Sequence, residues 1–163
     1  MPEKIKDVKP PHGLARLAFR FPILLYRLGL GGLLGSRFLL LTHVGRKSGL
    51  ERKNVLEVVK HDKATNTFTV AAGFGTSSDW YRNIRANPKV TVQCGQRIWH
   101  MTANFLTPEQ SGEVLVDYYR RYPMALRELS GVMGYHLNGS EEDVRSLGQI
   151  LSMVVFKPED VYA

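Results

Sequence analysis

Apolar side chains recur at helical spacing near the start of the chain, between residues 13 and 28. In the sequence GLARLAFRFPILLYRL they follow the i, i+3, i+4, i+7 pattern of an amphipathic helix, and Arg16, Arg20 and Arg27 fall on another face. Pro22 removes one backbone donor, so the pattern predicts two short helices or one kinked helix. The arginines interrupt the run too often for a membrane span, which needs about 18 consecutive apolar residues.

From residue 37 onward the apolar positions run together or alternate, as they do in buried and half-buried strands. Strands are predicted at residues 37–44, 53–61, 67–72, 89–94, 97–106 and 150–158. Strands joined by hairpins, with a few helices inserted, favour an α+β fold that is mainly β, with an antiparallel sheet curled into a barrel. We therefore divide the chain into an N-terminal amphipathic helical segment, 1–36, and a barrel domain, 37–163, that ends with C-terminal helices.

Three helices are predicted within the barrel domain. The first is DWYRNIRAN, which Ser77 or Ser78 can cap and which ends before Pro88. The second begins with Thr107-Pro108-Glu109-Gln110, which combines a threonine cap, an early proline and a capping-box glutamine, and it ends before Pro123. The third is a short acidic helix that begins after Ser140, and residues 130–140 before it are typical of a loop.

Positive charge is concentrated in the first third of the chain. The net charge is +7, and residues 1–60 hold 12 Lys and Arg against 4 Asp and Glu, whereas residues 61–163 hold 10 against 11. This asymmetry indicates an anionic partner such as a phosphorylated ligand, a membrane surface or a nucleic acid. Aromatic residues do not alternate with the basic ones, so nucleic acid is the partner that the sequence favours least.

The single cysteine, Cys94, excludes a disulfide framework within one chain and a thiolate metal site. The five histidines lack the spacing of metal ligands, so no metal is predicted. The first residues are polar and no signal cleavage site follows the apolar stretch, so we expect a cytoplasmic protein.

The densest group of cations lies in the turn VGRKSGLERK, where Arg46, Lys47, Arg52 and Lys53 surround Ser48 and two glycines. One interpretation is a plain hairpin loop with solvated charges. The other is an anion site, because backbone donors point outward from such a turn and a guanidinium can fork two hydrogen bonds onto a phosphate or carboxylate. The spacing matches neither a Walker loop nor a G-x-G-x-x-G dinucleotide turn, so a conventional nucleotide fold is not expected.

A second candidate stretch is AAGFGTSSDWYRNIRANP, residues 71–88. A strand ends in two glycines that flank Phe74, and a helix then begins with Asp79, Trp80 and Tyr81. The start of a helix offers free N–H groups to an anion, and Arg82 and Arg85 add positive charge. The alternative is that Trp80 only anchors the helix on the core.

The stretches GRKSG, FTVAAGFG and DWYRNIRANPKVTV, taken in this order, resemble the deazaflavin-dependent nitroreductase family. The resemblance covers roughly residues 37–106. It implies a split β-barrel of the FMN-binding type, the 5-deazaflavin coenzyme F420 as cofactor, and hydride transfer from the reduced cofactor to an electron-poor acceptor such as a quinone, an enone or a nitro compound.

The resemblance also implies residue roles. The basic turn would hold the cofactor's phosphodiester and glutamate tail, the glycine loop would approach the deazaflavin ring, and the helix start would close around the cofactor. The residues that match these positions are Arg46, Lys47, Ser48, Arg52, Gly73, Phe74, Gly75, Asp79, Trp80, Tyr81, Arg82 and Asn83. The chain differs from the family pattern at 73–74, where it has Gly-Phe, and at Ala125 and Glu128, which replace tyrosines.

No catalytic residue is identified, since hydride transfer can proceed by positioning alone. Tyr122 and Tyr135 are candidate donors to the acceptor oxygen, on which negative charge develops. The alternatives left open are an FMN-dependent oxidoreductase with the same barrel and a non-catalytic protein that binds a cofactor, haem or lipid.

Two further alternatives concern partners. Residues 13–28 would either pack as a lid on the barrel or lie on the inner face of the membrane with their arginines near lipid phosphates. Related barrels often pair through their sheets, so a homodimer is a further expectation.

Overall fold

A computed structural model describes residues 2–4, 37–73 and 75–159. The predicted amphipathic helix at 13–28 and the boundary predicted at residue 36 fall outside, or at the edge of, these ranges. No helix in the described part of the chain is long and apolar enough to cross a membrane.

The described residues form nine strands and four helices. The strands are β1 (Glu3–Lys4), β2 (Phe38–Val44), β3 (Glu51–Glu57), β4 (Lys60–Asp62), β5 (Thr67–Ala71), β6 (Lys89–Cys94), β7 (Arg97–Phe105), β8 (Tyr135–His136) and β9 (Met153–Pro158). The helices are α1 (Asp79–Ala86), α2 (Pro108–Arg121), α3 (Pro123–Val132) and α4 (Glu141–Ile150). β1 pairs only with β8, and the other seven strands form one antiparallel sheet in the order β3-β2-β6-β7-β9-β5-β4.

The sheet curls into a barrel because its two edge strands are consecutive in the chain. β3 and β4 lie at opposite edges, yet only Val58 and Val59 separate them. The Val58 N–H donates to the carbonyl of Arg37 beside β2, and the Val59 N–H donates to the carbonyl of Thr69 on β5. These two hydrogen bonds, both 2.8 Å, bring the edges together at one point and leave the rest of the seam unpaired.

Alternate side chains of the strands fill the barrel, and helix α1 closes one end of it. Leu39, Leu41, Phe68, Val92 and Phe156 are fully buried in this core. Trp80 and Ile84 of α1 belong to the same core. α1 therefore packs at the barrel end where β2 turns into β3, which is the end that carries the basic turn.

A second core lies between the outside of the sheet and helices α2, α3 and α4. α2 begins with the predicted capping box, in which the Thr107 hydroxyl accepts from the Gln110 N–H and the Gln110 side chain accepts from the Thr107 N–H. α4 begins at the predicted cap, with the Ser140 hydroxyl accepting from the Asp143 N–H. Both helix starts are thus confirmed as the sequence predicts them.

Three sequence-based predictions differ from the structure. The single strand expected at 53–61 is split at Val58, where the chain crosses between the sheet edges. The helix predicted to end before Pro123 does so, as α2, but residues 130–132 of the predicted loop belong to a further helix, α3, which begins at Pro123, where the missing N–H costs nothing. Ser78 occupies the position before α1 but makes no capping hydrogen bond with its side chain.

Candidate functional site

The β2–β3 connection is a tight turn that projects its cations away from the barrel. The Gly45 N–H donates to the Leu50 carbonyl and the Gly49 N–H to the Gly45 carbonyl, both at 2.8 Å. Gly49 has a φ of +70°, a conformation that glycine adopts without strain. The Leu50 N–H is bound by the Ser48 hydroxyl at 3.2 Å. Lys47 and Ser48 are exposed as a result, whereas Arg46 turns back toward α1.

Arg46 is held in one orientation by two residues of α1. Its backbone N–H donates to Oδ1 of Asn83 at 3.1 Å, and its Nη1 donates to the same oxygen at 2.9 Å. Both terminal nitrogens lie 3.3 Å from Oδ1 of Asp79. The Arg46 side chain is only 19% exposed, whereas that of Asp79 is 86% exposed. The turn and the helix are therefore joined by a guanidinium that remains partly open to solvent.

The Asn83 amide is fixed in turn by His43. Asn83 and His43 are both buried, and Nδ2 of Asn83 lies 3.2 Å from Nδ1 of His43. Nε2 of His43 lies 2.8 Å from Oδ1 of Asn54 on β3. Burial lowers the pKa of His43 and the Arg52 charge lowers it further, while the Asn54 hydrogen bond and Asp79 oppose the shift. The imidazole is neutral at neutral pH and links three elements of the barrel.

An open cleft of about 600 Å³ lies beside this network. Three arginines and no carboxylate line it, and its residues are Arg46, Thr76, Tyr81, Arg82, Arg85 and Ala86. The Arg85 guanidinium lies 4.6 Å from the centre of the Phe105 ring, which supports it from one side. The cleft and the exposed cations of the turn together form one basic surface.

The cations of this surface are largely free of acidic partners. Within residues 37–73 and 75–159, no carboxylate forms an ion pair with Lys47, Arg52, Lys53, Arg82 or Arg85. By contrast, Arg120 and Arg145 on the helices pair with Glu141 and Glu113. A surface with this excess of unpaired positive charge attracts a polyanion.

The aromatic residues at the start of α1 take different positions. Trp80 is 7% exposed and packs edge-on against Tyr81 within the barrel core. Tyr81 is 9% exposed, lies edge-on to Phe105, and also lines the cleft. The structure therefore gives Trp80 the anchoring role that the sequence left as an alternative, and it gives Tyr81 contact with both the core and the cleft.

The glycine loop before α1 lies against the end of α3. A Cβ atom on Gly73 would stand 2.9 Å from Sδ of Met133, so the backbone and that side chain are in close contact. Gly75 has a φ of +91° and open space around it. Phe74, which the sequence includes in the site, lies outside the described residues. The loop connects the cleft side of the molecule with the C-terminal helices.

The two candidate tyrosines lie on the helical side of the barrel. Tyr122 joins α2 to α3, is 52% exposed, and lies near Tyr118 with ring centres 5.5 Å apart. Tyr135 is half-buried on β8 and packs against the second core together with Met133. The structure brings neither tyrosine into the network around Arg46.

A buried tyrosine that the sequence does not single out lies beside Tyr122. The Tyr118 hydroxyl donates to Oε1 of Glu57 at 2.9 Å, and Arg37 lies 3.5 Å from the same carboxylate. Burial, with Glu57 next, raises the pKa of Tyr118 well above its ordinary value. This cluster is at the opposite end of the β2–β3 pair from the basic turn.

Five residues of the site escape the cofactor contacts expected from the sequence. Thr76, Arg85 and Ala86 line the cleft, and His43 and Asn54 form the network behind Asn83. The signal for that network in the sequence is His43 within the apolar run of β2, and its partner Asn83 is 40 residues away. Among the described residues no group of His, Cys, Asp and Glu side chains is placed to hold a metal ion.

Solved structures with the same fold share little sequence with this chain. One described as a domain-swapped dimer is 20% identical, with a TM-score of 0.53 over 89% of this chain and 100% of the other. A pyridoxamine 5'-phosphate oxidase-related, FMN-binding protein from Nostoc punctiforme is 14% identical, with a TM-score of 0.52 over 91% and 83% of the two chains. The conserved hypothetical protein Rv2991 from Mycobacterium tuberculosis is also 14% identical, with a TM-score of 0.53 over 83% and 80%.

The barrel is thus the split β-barrel of the FMN-binding and pyridoxamine oxidase-like proteins, as the sequence resemblance predicted. A family profile described as F420H(2)-dependent quinone reductase matches residues 27–139. The chain belongs to this family and is an F420-dependent oxidoreductase.

Proposed function

We propose that this protein binds reduced coenzyme F420 on the basic surface and reduces a quinone. The observation that carries the proposal is the arrangement of Arg46, Arg82 and Arg85 around one open cleft, together with the exposed Lys47 and Arg52, with which no carboxylate of the described residues pairs. The phosphodiester and glutamate tail of F420 carries several separate negative charges, and this surface offers several separate cations. The residues present therefore fit the cofactor that the family description names.

The proposed contacts with the cofactor's tail differ in their chemistry. Arg46 presents a fixed guanidinium and suits bidentate hydrogen bonding to a phosphate or carboxylate. Lys47 on the turn and Arg52 at the start of β3 are both exposed and act as charges for the more distant end of the tail. Tyr81 and Thr76 add a hydroxyl each to the cleft. Ser48 is already used inside the turn, where its hydroxyl binds the Leu50 N–H, so its contribution is to hold the turn's shape.

When bound, reduced F420 supplies a hydride. The part of the protein that would face the ring is the loop of residues 73–75, where Gly75 has open space around it through which a flat group could approach the backbone. Met133 borders this loop at Gly73 from the helical side. Tyr135 or Tyr122 would donate a hydrogen bond to the acceptor oxygen as negative charge develops there.

Turnover of reduced F420 with menadione tests the proposal. We expect the cofactor's absorbance at its oxidised band to rise only when protein, reduced F420 and menadione are all present. The same assay with an enone and with a nitro compound ranks the three acceptor classes. Tight binding of F420 without turnover of any acceptor would contradict the reductase function and would favour a carrier of the cofactor.

The alternative cofactor is FMN, which one protein of the same fold is described as binding. A single phosphate needs fewer cations than a polyglutamate tail, so FMN would leave Lys47 and Arg52 without a role. Equilibrium dialysis against FMN and F420 in parallel separates the two. Binding of FMN in preference to F420 would overturn the cofactor assignment.

We further propose that the protein forms a homodimer and acts in the cytoplasm. Support for the dimer comes from the structural relative described as a domain-swapped dimer. Light scattering after gel filtration would measure the mass, and a mass of one chain, 18.4 kDa, at micromolar concentration would refute the dimer. Peripheral membrane contact through residues 13–28 stays a prediction, and co-sedimentation with anionic liposomes tests it.

A further inference from the structure

Arg46 is positioned by a chain of three polar side chains from three different elements, two of them buried and one, Asn54, half-buried. His43 lies on β2, Asn54 on β3 and Asn83 on α1. Oδ1 of Asn83 accepts two hydrogen bonds from Arg46, Nδ2 of Asn83 reaches Nδ1 of His43, and Nε2 of His43 reaches Oδ1 of Asn54. His43 is 2% exposed and Asn83 is 4% exposed, so the central bonds of the chain have no water to replace them.

Only one set of proton positions satisfies all these contacts. Oδ1 of Asn83 must face Arg46, because both groups of Arg46 that approach it are donors. The amide NH2 therefore faces His43, whose Nδ1 must be the unprotonated acceptor. The proton then lies on Nε2 and is donated to Asn54. The imidazole must be neutral, and its tautomer is set by Arg46, to which it is linked by two successive hydrogen bonds through Asn83.

We propose that His43 is a positioning residue for the anion site, which fixes the Asn83 amide and through it the guanidinium of Arg46. This inference rests on the proposed function, because the anion that Arg46 would bind is the tail of F420. His43 touches neither cofactor nor substrate in this account. It acts only by holding Arg46 in its binding orientation, which reduces the conformational entropy that the Arg46 side chain loses when it binds the anion.

Protonation of His43 disrupts the chain at the Asn83 end, while Nε2 can still donate to Asn54. A proton on Nδ1 would face the Asn83 NH2, a contact between two donors. Rotation of the Asn83 amide would relieve that contact but would turn the NH2 toward the donors of Arg46. Arg46 would then lose both hydrogen bonds to Asn83, so acid should release it from its binding orientation.

Burial and the Arg52 charge favour the neutral form of His43, whereas the hydrogen bond to Asn54 and the Asp79 charge oppose it. Arg52 faces His43 across the β2–β3 pair, Asp79 faces it from α1, and Arg46 reaches it through Asn83. β6, on the other side of β2, brings only the exposed Lys89 near this end of the barrel. Burial is the main cause that lowers the His43 pKa below its ordinary 6.5, so we expect the release of Arg46 at a pH below that value.

Binding of oxidised F420, measured by isothermal titration calorimetry, tests the proposal with two variants and a matched control. His43→Leu removes the acceptor for Asn83 and should weaken binding about tenfold at pH 7.5. His43→Gln can accept from Asn83 and donate to Asn54 without titrating, so its affinity should stay within about twofold of the parent. His61→Leu is the control, because that histidine stacks on Phe68 and makes no hydrogen bond.

The pH profile separates positioning from a merely structural role. The parent should lose affinity as the pH falls below the ordinary histidine pKa of 6.5. His43→Gln should lose less over the same range, because glutamine does not titrate and any titration of the ligand itself affects both proteins equally. In an Arg46→Met background, His43→Leu should change the affinity by less than about twofold. A full tenfold loss in that background, or identical pH profiles for parent and His43→Gln, would overturn the proposal.

Nitrogen NMR of the cofactor-free protein keeps the proposal independent of the cofactor assignment. The parent at neutral pH should show His43 with an unprotonated Nδ1 and a protonated Nε2, and the Arg46 side-chain resonances should shift as His43 titrates. Arg46 resonances that ignore the His43 titration would refute the positioning role whether or not F420 binds. If F420 fails to bind the parent while these resonances behave as expected, the proposed function fails and the positioning of Arg46 stands.

Discussion

Asp79 competes for the guanidinium that we assign to the cofactor. Its Oδ1 lies 3.3 Å from both terminal nitrogens of Arg46, in the direction from which an anion would approach. The carboxylate is 86% exposed, so solvent reaches it freely. Asp79→Asn keeps the shape of the side chain and removes its charge. If Asp79 occupies the place of the anion, this change should strengthen F420 binding.

The size of the effect follows from the exposure of the pair. Exposed ion pairs contribute about 0.2–1 kcal/mol, so loss of the competing charge should lower the dissociation constant by about 1.4- to 5-fold. The same change should slightly destabilise the fold, because Asp79 lies in the first turn of α1, where a negative charge stabilises a helix by about 0.3–1 kcal/mol. Affinity and stability should therefore move in opposite directions.

Calorimetric titration with oxidised F420 and urea unfolding measure the two effects on one protein preparation. Asp117→Asn is the matched control, since Asp117 forms a similar exposed pair with Arg121 at 3.0 Å on α2, away from the cleft. The control should leave F420 affinity unchanged. If Asp79→Asn weakens binding by threefold or more, Asp79 is itself a contact of the cofactor and the reasoning is refuted.

Two further predictions concern the fold. Gly148→Ala should lower the free energy of unfolding, measured in urea, by about 1–3 kcal/mol, because the new Cβ would lie 2.7 Å from the backbone of Gly112. The control Gly131→Ala should leave the protein at least as stable, because the position has open space around it. The free energy of unfolding should fall as the pH rises above about 10, because the tyrosine then ionises in the unfolded state, whereas in the folded state the raised pKa of Tyr118 keeps its hydroxyl protonated against Glu57. Tyr118→Phe should lose less stability over this alkaline range, as measured by circular dichroism.

The sequence predicts best the elements whose signals are local. The capping box at Thr107 and the cap at Ser140 both appear as predicted, because each depends on residues within one helical turn. The alternation that predicts β6 and β7 also depends only on neighbours. The end of α2 before Pro123 is also as predicted. α3 was not predicted, because the proline that ends one helix can also begin the next, and the tight join between α2 and α3 depends on tertiary packing.

What the sequence could not reveal depends on contacts between distant residues. Residues 53–61 contain no glycine or proline, so nothing local marks Val58 as the point where the chain changes sheet edges. The basic turn was found from its composition, but its connection to α1 through Asn83 joins residues 37 apart. A polar residue in an apolar strand, such as His43, is a sign that a partner exists, and only the fold identifies that partner.

The central claim is that the basic turn binds the anionic tail of F420, and the double variant Arg46→Met/Lys47→Met tests it most directly. Hydrogen bonds to charged groups contribute about 1.5–3 kcal/mol, so the dissociation constant for oxidised F420 should rise by about 10- to 150-fold. The control is Lys60→Met/Arg97→Met, which removes two exposed cations at the opposite end of the barrel, about 20 Å along the strands. Unfolding temperatures of both variants should match that of the parent within a few degrees. An unchanged dissociation constant in a folded Arg46→Met/Lys47→Met protein would contradict the account.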